Sequence, residues 1–132
     1  MMVRNFLSTR TSARFGLFTT NTRNLFVVSL EYKVPLKKVD EHLSAHRNFL
    51  EECYKNNTFI ASGKKEPRTG GIIIASAKDK ETLESILIKD PFKQHDIANY
   101  EITEFIPTMC SNDFLKIAEE DKATIGHKRY GY

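Results

Sequence analysis

The sequence predicts an α+β protein of the ferredoxin-like type, a four-stranded antiparallel sheet built in the order β-α-β-β-α-β. Three observations carry that expectation. Four short runs rich in β-branched and aromatic residues are interleaved with two segments of helical periodicity. A turn-rich stretch, and no helical segment, separates the second run from the third. Right-handed crossovers then leave both helices on one face of the sheet. At 132 residues, with 40% hydrophobic residues and nine Phe, the chain is long enough for one buried core and too short for two.

Strand one is the run Leu25 to Tyr32, in which Phe26, Val28, Leu30 and Tyr32 share a face by period-two alternation. Pro35 opens a helical region that reaches about Asn57. Within it Val39, Leu43, His46, Leu50 and Cys53 recur at spacings of 4, 3, 4 and 3, the signature of one helix face. Ser44 is a second potential N-cap, so one helix and two helices both fit. Strand two is Thr58 to Ser62, and the connection from Gly63 to Gly71 carries Pro67 and two glycines. Strand three is Gly71 to Ala75. Asp79 caps a second helix with Leu83, Ile86 and Leu87 as its buried stripe. That helix stops at Asp90-Pro91, because the residue before a proline is pushed out of helical geometry. Residues 91–97 leave room for one short helical turn, and Tyr100 to Pro107 is strand four.

These elements place one domain at residues 24–108. Ser111 or Asn112 caps an extra C-terminal helix to about Ala123, so that 109–132 forms a helix and tail. Residues 1–23 are acid-free, rich in Arg, Ser, Thr and Asn, and dotted with Phe and Leu. A disordered extension, a start placed too far upstream and an organellar transit peptide all fit that composition. The first two point to a cytoplasmic protein, the third to a mitochondrial one.

The net charge of +3 is unevenly spread. Residues 1–30 hold Arg4, Arg10, Arg14 and Arg23 and no acid, while the remaining 102 residues carry 16 basic and 17 acidic side chains. The domain is therefore close to neutral and lacks the basic stripe that a phosphate backbone requires, which speaks against nucleic acid as a partner. No apolar run is long enough to span a bilayer. Cys53 and Cys110 lie far apart without CxxC spacing, so neither a zinc site nor a disulfide framework follows and a reducing compartment is expected. One face of the sheet packs the helices. The other carries more apolar surface than a solvated face should, around Leu25, Val27 and Ile73 or its neighbours, and a homodimer would cover it.

The topology gathers the exit of strand one, the start of the first helix, the 63–71 connection and the Asp90-Pro91 turn at one end of the domain. Candidate chemistry lies there. His46 sits inside an apolar helix stripe, so it must satisfy both ring nitrogens or face a cavity. Asp90 is suited to cap the turn that begins with Pro91. It also meets the negative end of the preceding helix dipole, a conflict that calls for a cation or an imidazole as partner. A carboxylate–imidazole pair of His46 and Asp90 would fix the tautomer and favour a general base near neutral pH. A core histidine bonded to a carbonyl and an ordinary capping aspartate are the competing readings. His42, one turn before His46, suggests a two-ligand metal seat, but no third ligand stands at useful spacing and no metal is expected. On the connection, Lys64, Lys65 and Arg68 offer charge to an anionic substrate, and Gly70-Gly71 permits close backbone approach.

The segments VVSLEY at 27–32, AHRNFL at 45–50, FIASG at 59–63, PRTGG at 67–71, KDPF at 89–92 and YEITEF at 100–105 together resemble the YciI-like (YCII-related) family over about residues 25–108. The resemblance implies a ferredoxin-like fold that dimerises by stacking sheets, the dimeric α/β barrel. It also implies a histidine–aspartate pair in a cleft, matched here by His46 and Asp90. Similar proteins include a dehydrochlorinase acting on a chlorinated aromatic. Many relatives carry an arginine three residues before the histidine, where this chain has Leu43. An anion-holding role would then fall to Arg47, Arg68 or a lysine. After the glycine of FIASG the chain reads Lys64-Lys65, where relatives often carry proline.

The expectation is a small-molecule enzyme working by proton abstraction, elimination or isomerisation. His46 would be its acid–base group, Asp90 its orienting partner, Ser62 a hydrogen-bond donor and Arg68 an anion anchor, with no metal or nucleotide cofactor implied. The alternative is a non-catalytic module that holds a small ligand in the same cleft. A nucleic-acid binder using the sheet face is disfavoured, because no row of stacking aromatics lies beside a basic groove.

Overall fold

A computed structural model describes residues 24–116. The element order is β1 Asn24–Tyr32, α1 Leu36–Glu41, α2 Leu43–Lys55, β2 Phe59–Lys64, β3 Gly70–Ala77, α3 Lys80–Leu87, α4 Pro91–Gln94 and β4 Ala98–Phe105. The strands form one antiparallel sheet in the order β2-β3-β1-β4, the ferredoxin-like arrangement expected. This unit runs from Asn24 to Pro107.

Alternation along β1 divides the sheet cleanly. Phe26, Val28 and Leu30 point to the helices and are buried, as are Ile73, Ala75 and Ala77 on β3. They pack with Val39 from α1, Cys53 from α2, Leu83 and Leu87 from α3, and Phe92 from α4 in one core cluster. The opposite face carries Leu25, Val27, Ile72, Ile74 and Phe105, aligned by the pairings Leu25 to Phe105, Val27 to Ile74 and Ser29 to Ile72. Ile73 itself belongs to the core, so its neighbours Ile72 and Ile74, not Ile73, supply the apolar side chains of the opposite face, where Leu25 is itself buried.

Two local features set up the functional end. The helical region breaks at His42, whose φ of −110° and ψ of 4° leave the α region, and two helices result. The junction lies at His42 rather than Ser44, and it puts His46 in the first turn of α2. In β2 the register slips between Phe59 and Ala61. Phe59 pairs with Ala75 and Ser62 with Ile73, both on the helix side. Residues three apart share a face of a strand only if an extra residue is inserted between them, and this bulge turns Ser62 inward.

The helix stops and starts follow the residues expected. Asp79 accepts a hydrogen bond from Thr82 N at 2.7 Å as the N-cap of α3. Asp90 caps α4 with Pro91 at its first position. β2 and β4 are shifted from their expected bounds: β2 runs on to Lys64, and β4 starts at Ala98, where Ala98 pairs with Tyr32. Beyond Pro107, Ser111 caps a helical turn, with Oγ accepting from Phe114 N at 3.2 Å. The expected end of that helix near Ala123 and the whole of 1–23 lie outside the described residues.

Candidate active site

His46 and Asp90 meet at the end of the domain where the topology gathers its turns. Asp90 is fully buried and His46 is 8% exposed. His46 Nδ1 lies 2.8 Å from Asp90 Oδ1. The carboxylate also accepts from Phe92 N at 2.9 Å on Oδ1 and from the Tyr100 hydroxyl at 2.5 Å on Oδ2. Two donors already face this acceptor, so the third partner, Nδ1, carries its proton towards it. That leaves Nε2 as the acceptor nitrogen. It has no protein partner among the described residues and is not sealed in. The burial of a carboxylate is tolerable here because each of its oxygens is bonded.

Phe92 fixes the imidazole in a second way. Its ring stacks on that of His46 with centroids 3.9 Å apart and planes within 2°. The face of the imidazole is thus held by α4 and one edge by Asp90, the cap of the same short helix. Burial, followed by the charge of Asp90, pushes the Tyr100 phenol well above its usual range, so it stays a donor. The same pair of causes pushes the buried Cys53 thiol up to about 12, which makes it a packing residue rather than a nucleophile.

Beside the pair opens a cleft of about 500 Å³. Leu30, Ile73 and Phe92 form its apolar floor, and His46 reaches it from α2. Ser62 and Arg68 both line it, and each is engaged. Ser62 Oγ lies 2.5 Å from the Tyr54 hydroxyl. Arg68 is paired with Asp40 at 2.5 Å, a bond that holds the guanidinium above its usual range and bridges the β2–β3 connection to α1. Arg47 and Lys64 line the cleft as well. His42 does not share a seat with His46. Its ring stacks on His95 at 4.3 Å, and among the described residues no three His, Cys, Asp or Glu side chains cluster as metal ligands.

Tyr100, Phe92 and Tyr54 were not among the expected site residues. The alternation Tyr100, Ile102 in β4 carried a signal for the first, since it puts the phenol on the helix side of the sheet.

The sequence model of the YCII-related domain matches residues 25–106. The chain belongs to the YCII-related family. No curated protein matches this YCII-related chain. Among solved structures it is similar to 5-chloro-2-hydroxyhydroquinone dehydrochlorinase (TftG) from Burkholderia phenoliruptrix AC1100, in complex with 2,5-dihydroxybenzoquinone. The TM-score is 0.55 at 17% identity, over 62% of this chain and 93% of that one. A second similar structure is a variant of SnoaB, a cofactor-independent oxygenase from Streptomyces nogalater. It has a TM-score of 0.41 and 11% identity, over 68% of this chain and 97% of that one. The likeness to TftG is one of fold: the YCII-related chain has its α+β, ferredoxin-like architecture. No helix among the described residues is long and apolar enough to cross a membrane.

Proposed function

We propose that this YCII-related protein is a small-molecule enzyme in which His46 Nε2 takes and returns a proton. Asp90 holds the imidazole by its other nitrogen. The observation that carries this reading is the arrangement of a bonded Nδ1, an unbonded Nε2 and an adjoining cleft. A histidine kept only for packing has no need of a fully bonded buried carboxylate behind it and an open cleft in front. Such a pair suits removal of a proton next to an electron-withdrawing group, followed by elimination or isomerisation, and contributes about 10²–10⁴ in rate. Ser62, with its hydroxyl shared with Tyr54, supplies a polar contact on the cleft wall. The fold shared with TftG makes elimination of chloride from an oxygenated ring the first reaction to try.

We also propose a homodimer. The sheet face away from the helices supports it: Val27, Ile72 and Ile74 are partly exposed there and Phe105 is exposed, and an apolar sheet face of this kind is stable when covered. Sedimentation equilibrium reads the stoichiometry directly.

The test of the enzymatic reading has two arms. Chloride release is followed with 5-chloro-2-hydroxyhydroquinone. Deuterium uptake from solvent is followed at the acidic C–H positions of a panel of small keto acids and hydroxyquinones. Turnover that falls by about 10²-fold or more in His46→Gln is the expected result. If neither arm shows a His46-dependent rate, the protein is a binding module and this reading is wrong.

A further inference from the structure

Three cationic side chains reach the cleft, namely Arg47, Lys64 and Arg68, and a single acid, Asp40, lies among them. The acid is committed. Asp40 Oδ1 is 2.5 Å from Arg68 Nη2, so these two neutralise each other across the mouth. Lys65, the neighbour of Lys64, is likewise taken up by Glu31 at 2.7 Å. Arg47 and Lys64 make no ion pair or side-chain hydrogen bond among the described residues. They come from two different elements. Arg47 follows His46 on α2, and Lys64 ends β2, paired with Gly71 two residues beyond Ser62. Two positive charges without counterions beside an apolar floor of Leu30, Ile73 and Phe92 create a field that attracts anions and does little for neutral molecules.

We infer that the cleft takes a small molecule with an apolar body and one anionic group, a carboxylate or comparable oxyanion. Arg47 and Lys64 hold the anion, and Arg68 serves as a brace between the β2–β3 connection and α1. This rests on the cleft being the functional site, and it deepens that reading by naming the substrate class and the residues that select it. The apolar body then lies over the floor, next to His46 Nε2. Anion binding here does not require that His46 act as a base, so the two readings can fail separately.

The experiment is an amide NMR titration of the full chain with benzoate as probe and benzamide as its neutral counterpart. Benzoate is expected to give saturable shifts at residues 46–47, 62–64 and 71–73, and to bind about five- to tenfold more tightly than benzamide. The double variant Arg47→Met, Lys64→Met removes that margin and keeps benzamide binding, whereas Arg68→Met retains most of it. In the wild type, added salt weakens benzoate and leaves benzamide unchanged, a reading that needs no variant to fold. His46→Gln keeps the preference for benzoate even if it abolishes turnover, which separates this inference from the acid–base proposal. Equal affinity for the two ligands, no saturable shift at the cleft, a margin lost with Arg68 alone, or the same salt response for both ligands would overturn the inference.

Discussion

Tyr100 donates its hydroxyl to Asp90 Oδ2 at 2.5 Å, on the carboxylate oxygen that His46 leaves free. The phenol comes from an edge strand and the imidazole from α2, so one buried aspartate ties the sheet to a helix through both of its oxygens. If Tyr100 is replaced by Phe, that oxygen loses its partner inside the protein. We expect Tyr100→Phe to cost about 1–3 kcal/mol in urea denaturation, the penalty for an unsatisfied buried acceptor. A loss near zero would mean that solvent reaches Oδ2.

The tautomer of His46 should depend on Asp90. With a carboxylate behind it, neutral His46 carries its proton on Nδ1. In Asp90→Asn the amide can turn its NH₂ towards the ring, and the proton then moves to Nε2, the wrong nitrogen for a base facing the cleft. Nitrogen-15 shifts of the His46 ring at alkaline pH read the two forms separately. We expect almost pure Nδ1–H in the wild type and a mixture or a reversal in the variant.

Stability should fall at alkaline pH, and the sign follows from the raised groups. Cys53 has its folded value pushed from 9.0 to about 12, chiefly by burial and next by the charge of Asp90. Between those limits the unfolded chain has released its proton and the folded chain has not. The folded state therefore binds more protons, and stability declines as pH rises through that window. Tyr100 adds to the decline above its ordinary value of 10.0, for the same two causes in the same order. Denaturant melts from pH 8 upward should show the slope, and Cys53→Ala should flatten it while lowering stability throughout.

Gly70 and Gly63 make a controlled pair. A Cβ on Gly70 would run into the Leu30 carbonyl oxygen, while one on Gly63 meets nothing within 4 Å. Gly70→Ala must push β3 from β1 beside the cleft, and we expect a cost of about 2 kcal/mol or more. Gly63→Ala should stay within about 0.5 kcal/mol of the wild type. Thermal melts of the two variants settle the comparison.

The fold was readable because its signals are local. Alternation in β1, the caps at Asp79 and Asp90, and the stop at Pro91 each act within a few residues of the chain. The site was readable as far as topology carries. His46 and Asp90 are 44 positions apart, yet both fall at the same end once the element order is known, and the dipole conflict at Asp90 asked for a partner. What escaped the sequence depends on register or on long-range charge. The bulge near Ile60, which turns Ser62 inward, has no composition signal. Capture of Arg68 by Asp40 needs the connection folded back onto α1, a pairing across 28 positions that no local signal announces. The choice between one helix and two stayed open, and the junction fell at His42 rather than Ser44 with no Gly or Pro to mark it.

Asp90 Oδ1 serves two masters, the backbone amide of Phe92 and the ring of His46. The oxygen that caps the start of α4 is thereby the same one that aims the imidazole, and Phe92, whose amide it accepts from, is also the plate on which that ring lies. No substitution at residue 90 can silence the imidazole and leave the corner of the domain as it was. Substitutions at the rim of the cleft, at Leu43, Arg47 or Lys64, carry no such penalty, because none of these side chains bonds to the aspartate.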